Sequence, residues 1–159
     1  MVWDWLLWPS AGLFLFLRSK LQKSQKLSKF KWMWVPEYAL LVLGVWALLN
    51  APLPFLPSGW DSLAGIGASL FGLIAGWVIS WFGGAPSGAA IVAGVFLFAI
   101  VVAAALDLLD GVPEKLAKTF VYAAPVLVLA TGGWIAQSIG GAINWVALAG
   151  PNIVMALVQ

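Results

Sequence analysis

The sequence predicts an all-α fold, a polytopic transmembrane helix bundle, and three observations carry that expectation. Hydrophobic residues fill 63% of the 159 positions and charged residues only 9%, whereas a water-facing domain normally carries about 25% charge. Mean hydropathy is +1.01. The apolar residues fall into long runs separated by Pro- and Gly-rich breaks, and in lipid only a helix or a closed barrel satisfies its own backbone. At 16.9 kDa the chain has room for one membrane domain over residues 1–159.

Residues 3–17 (WDWLLWPSAGLFLFL) form a short apolar segment of fifteen residues containing Pro9. At ~1.5 Å per residue it reaches roughly 22 Å, less than a ~30 Å hydrocarbon core. It reads either as a re-entrant or interfacial piece, or as a span continuing into the basic residues that follow. Charges after the apolar stretch reverse the order of a cleavable signal, so the segment is expected to be retained.

Residues 18–35 are expected to form a basic connection. Arg18, Lys20, Lys23, Lys26, Lys29 and Lys31 supply six of the eight basic residues of the chain, with no acid among them. Leu21, Leu27 and Phe30 share no narrow helical face. The preferred reading is cytoplasmic topology plus attraction to anionic lipid. Contact with nucleic acid or an acidic protein is the alternative.

Four long spans are expected within residues 36–139, at about 36–56, 63–82, 88–109 and 119–139. Pro52, Pro54 and Pro57 close the first, Gly83-Gly84-Ala85-Pro86 the second, and Asp110-Gly111-Val112-Pro113 the third. The apolar tail, residues 140–159, contains Asn144, Gly150, Pro151 and Asn152 and reads as a re-entrant piece, a half-helix or a fifth span. With the basic run inside, alternation puts the 57–62 loop outside, the 83–87 turn inside and the 110–118 loop outside. Of the eleven tryptophans, Trp32, Trp34, Trp60, Trp77 and Trp81 fall near predicted span ends, where an amphipathic ring sits at headgroup level, Trp3, Trp5 and Trp8 would anchor the amino-terminal segment, and Trp46 and Trp134 fall inside spans and read as packed.

Candidate functional residues are few. Ala68, Gly72, Gly76 and Ser80 place small side chains at every fourth position of the second span. In lipid, such a stripe lets backbones approach and marks a helix–helix seam, either within one chain or between copies in a homo-oligomer. Asp107 and Asp110 lie three apart at the end of the third span. They read as a solvated helix end or, alternatively, as a cation or proton site. Glu37 follows Pro36 and fits the positive end of a helix dipole.

The chain has no cysteine and no histidine, which removes thiolate chemistry and imidazole catalysis. It carries no phosphate loop, dinucleotide fingerprint or nucleophile elbow. No enzymatic activity, cofactor or metal is expected. The expected partners are membrane lipid, further copies of the chain and a larger membrane complex. Three roles fit: a structural or accessory membrane subunit, a holin-like pore former, and a small channel or transporter. The last would need embedded charge that the spans lack. The Ala-, Gly-, Val- and Trp-rich composition of residues 36–139 and the loop LDLLDGVPEKLAKT at 106–119 resemble small integral membrane proteins of actinobacterial mobile elements. That resemblance implies a place beside plasmid-spread, conjugation or phage machinery.

Overall fold

The structure, a computed structural model, describes residues 4–24, 31–57, 60–109 and 113–158. Among these residues the fold is all-α, with six α-helices and no strand. After a 3-10 turn at Asp4–Leu6, α1 runs Leu7–Lys23 and α2 Trp34–Asn50. Then α3 covers Leu63–Trp81, α4 Ala89–Leu109, α5 Lys115–Thr131 and α6 Gly133–Val158.

Local chemistry explains most boundaries. Pro9 falls in the first turn of α1, where a missing N–H costs nothing, so it does not interrupt the segment as expected. The helix continues into the basic run through Arg18, Lys20 and Lys23, and residues 18–23 are therefore helical. Pro36 likewise sits in the first turn of α2, which stops at Asn50, two residues before Pro52. Ser62 caps α3, its Oγ accepting from the Gly65 N–H at 3.0 Å. At the other end of α3, Gly83 adopts φ +75°. The N–H groups of Gly83 and Gly84 return to the Ser80 and Ile79 carbonyls, which is a Schellman closure.

The expected fourth span, 119–139, is not one helix. Gly132 and Gly133 have φ of +63° and +58°, a region that favours glycine. They break the apolar run into α5 and α6. Beyond the break the tail is continuous helix to Val158.

Among the described residues, two helices are long and apolar enough to cross a membrane, where four were expected: α3, and α4 with the 3-10 turn Pro86–Gly88 before it. Their mean hydropathies are 1.8 and 2.8. The most apolar 18-residue windows are only 22% and 11% buried, so neither is the core helix of a globule. α2 is also apolar but has 17 residues, and α5 begins with Lys115 and Lys118.

Two antiparallel pairs dominate the packing. In the first, Leu7, Ala11 and Phe14 of α1 bury against Ala47 and Ala51. Gly44 lets α2 approach so closely that a Cβ there would lie 2.8 Å from Leu15 Cδ2. The second pair is α4 with α5, and Leu41 and Val45 join the two pairs by packing on Val121. α6 folds back over α2, bringing Gly140 to Trp46 and Leu148 to the α1–α2 core.

The path of α3 overturns the expected alternation of loops. Its start lies beside Asn50, Pro52, Leu129 and Ala130. Its second half meets Pro86 at Gly76, and the following α4 begins beside Thr131 and Ile135. Both ends of α3 therefore belong to the end of the bundle where α2 and α5 finish. The 83–88 connection lies opposite the basic run, and residues 113–118 lie beside it.

Candidate functional site at the basic end

The end defined by the last turns of α1, the first turn of α2 and the start of α5 gathers most of the polar chemistry. Arg18 Nη2 lies 3.6 Å from Glu37 Oε1. Gln22 Nε2 donates to the same carboxylate oxygen. Glu37 thus clamps α1 to α2 as well as occupying the first turn of α2, a role the capping argument alone did not foresee. One turn along, Tyr38 Oη donates to the Ala117 carbonyl at 2.7 Å and ties α2 to α5.

Asp107 supplies the third tie. Its Oδ2 accepts from the backbone N–H groups of Glu114 and Ala117, both at 2.9 Å. These amides open α5 and have no intrahelical partner, so a carboxylate there satisfies them and complements the helix dipole. Asp107 is in this way a tertiary cap, holding α4 to α5 across the turn. Asp110, its companion in the ion-site alternative, lies outside the described residues, as do Lys26 and Lys29. No group of three or more His, Cys, Asp or Glu side chains that could hold a metal occurs among the described residues.

Between these ties lies a cleft of about 260 Å³ lined by Arg18, Gln22, Trp34, Glu37, Tyr38, Leu41, Pro113 and Lys118. Arg18 and Lys118, exactly one from each hairpin, face it together, although 100 residues separate them in sequence. Lys20 and Lys23 are exposed on α1, with Lys20 Nζ 5.3 Å above the Phe16 ring, and Lys31 is exposed just before α2. Every Lys and Arg among the described residues accordingly sits at this end. The opposite end carries Asp61 and a second cavity, of about 530 Å³, with Asn50, Ser62 and Ser69 in its wall.

The small-residue stripe does not act as one seam within the chain. Ala68 lines the larger cavity, Gly76 is buried against Pro86, and Ser80 Oγ donates to its own helix at the Trp77 carbonyl. At Gly72 a Cβ would meet nothing within 4 Å. The close approaches are elsewhere. Gly67 lies off the stripe, and a Cβ there would stand 2.9 Å from Val126 Cγ2. Gly44 is the other. Neither belongs to a four-residue repeat, so spacing gave no signal for them.

Compared with known proteins, the chain matches no family model, no curated protein and no solved structure.

Proposed function

We propose that the chain is a small polytopic membrane protein of the plasma membrane, oriented with its basic end in the cytoplasm. In this reading it serves as a structural or accessory subunit that oligomerises or docks on a larger membrane assembly. The observation that carries it is the outer face of α3 and α4. Ile74, Trp77, Trp81, Ile91, Val95, Phe98 and Leu106 are all exposed there, Ile91 at 73% and Phe98 at 71%. Such a surface is far beyond what a water-soluble monomer presents, and acyl chains or another helix suit it.

Orientation draws on the one-ended cations, because cytoplasmic flanks collect Lys and Arg. With α3 returning to the far end, Lys115 and Lys118 join the basic run instead of opposing it. The α1–α2 and α4–α5 pairs then cross together, with the end of α1 and the start of α5 both on the cytoplasmic side. The seam with another helix is assigned to the stripe around Gly72 on α3, since that position is open within the chain and small residues invite close backbones in lipid. The resemblance to mobile-element proteins makes conjugation, plasmid-spread or phage machinery the class of assembly it would join.

The test is expression of the full chain in bacterial cells, followed by carbonate extraction and crosslinking. The protein should stay with the membrane, leave growth unimpaired and crosslink to itself or a larger partner, with Gly72→Leu abolishing the crosslink. Abrupt depolarisation on expression would instead favour the holin-like pore. Release by carbonate would end the membrane reading altogether.

A further inference from the structure

We infer that the 260 Å³ cleft at the basic end is a specific binding site for the phosphoryl group of an anionic phospholipid headgroup. The inference rests on the membrane reading above and goes further, separating one built site from general attraction between lysines and a charged bilayer.

Three observations lead there. First, Arg18 Nε is buried and has no hydrogen-bond partner among the described residues. The same guanidinium approaches Glu37 only through Nη2. Nε is shielded from the cleft, so a ligand there meets the outer nitrogens of the guanidinium, whose donors match phosphate oxygens in geometry and charge. Second, the walls bring Arg18 and Lys118 together against a single carboxylate, Glu37. Two cations and one anion leave the cleft one positive charge, complementary to a phosphodiester. Asp107 is outside the lining of the cleft, its carboxylate directed at two backbone amides that open α5.

Third, the depth is right for a headgroup. Trp34 and Tyr38 line the cleft, Trp32 is exposed beside it, and aromatic rings of this kind mark the membrane–water boundary. Apolar Leu41 at the base of the cleft provides a path for the start of an acyl chain. Free phosphate shares the headgroup's chemistry but would gain nothing from that apolar floor.

The experiment uses the full chain purified in dodecyl maltoside micelles, with thermal unfolding followed during titration by phosphatidylglycerol, phosphatidylcholine or inorganic phosphate. Phosphatidylglycerol should raise the midpoint saturably, and the other two should leave it unmoved. Arg18→Lys keeps the charge but removes the planar guanidinium fork, and should weaken the apparent affinity about fivefold or more. Lys118→Gln should weaken it comparably. Lys23→Gln, an equal charge change outside the cleft, should alter it less than about twofold.

Equal weakening by Lys23→Gln and Lys118→Gln would overturn the site in favour of diffuse attraction, as would an Arg18→Lys protein that binds like the parent. Stabilisation by inorganic phosphate equal to that by lipid would overturn the lipid assignment. Failure of the underlying membrane reading is separate, being seen as release of the unmodified chain by carbonate.

Discussion

Removal of the Asp107 carboxylate should loosen the start of α5, and the size of the effect can be worked from its two contacts. Asp107→Ala deletes the acceptor for the Glu114 and Ala117 amides. The Glu114 amide is exposed and can turn to water or headgroups, so its loss resembles that of an ordinary helix cap, about 1 kcal/mol. Ala117 is fully buried, and its stranded amide adds about 1–3 kcal/mol. The sum is about 2–4 kcal/mol. Asp107→Asn keeps a side-chain carbonyl in the same place and gives up only the charge, which at a helix amino-terminus contributes about 0.3–1 kcal/mol. Far-UV circular dichroism during denaturant unfolding in micelles checks the order: parent, then Asn slightly below it, then Ala well below. If the Asn and Ala proteins lost stability equally, the carboxylate would be acting through its charge or its protons, and the capping argument would fail. An Ala protein as stable as the parent would remove the α4–α5 tie altogether.

Further outcomes follow from other positions. The chain has no cysteine, so single cysteines report topology cleanly. Lys20→Cys and Lys115→Cys should be labelled from the same side of the membrane by an impermeant maleimide, and Ser87→Cys from the other. Labelling of Ser87 and Lys20 from one side would restore a crossing for α3. Gly67→Val should destabilise the α3–α5 contact by about 1–3 kcal/mol, because Val126 is stiff and already close. Gly72→Ala should leave the monomer unchanged or up to about 1 kcal/mol more stable, since a methyl meets open space there. Thermal unfolding in micelles separates the two. Gly132→Ala forces a side chain into φ +63°, ψ −175°, at a cost of about 1–3 kcal/mol. The expected readout is a lower unfolding midpoint.

Residue patterns made the helical class legible, and with it the start and stop of α3, because Ser62 and the Gly83-Gly84 pair act within a few residues of the ends they set. The α4 limits were similarly clear. The break at Gly132 was hidden inside an apolar run, since composition registers hydropathy but not the sign of φ. The basic stretch looked like a connection because charge argued against helix, yet long lysine stems let α1 extend by two turns past Leu17. The largest departure from expectation was the path of α3. Counting loops presumes that every long apolar helix crosses, and nothing local in α3 says that its two ends stay together. At the site, Arg18 was legible as a cation, but its meeting with Lys118 depends on that same path. The Gly44 and Gly67 approaches depend on which side chain of a neighbour happens to be opposite.

On the membrane reading proposed above, the placement of the cations has a consequence for how the chain would enter a bilayer. Both pairs, α1–α2 and α4–α5, could then be inserted with their basic ends left behind on the side of synthesis. The parts that must travel through hydrocarbon to the far side carry no lysine or arginine among the described residues, so no step has to drag an ammonium or guanidinium across, which would cost about 2.5–3.5 kcal/mol each. A resting potential, negative within the cell, would hold those basic ends where they started, and the fold could be completed by α3 settling against α4 and α5 already in place.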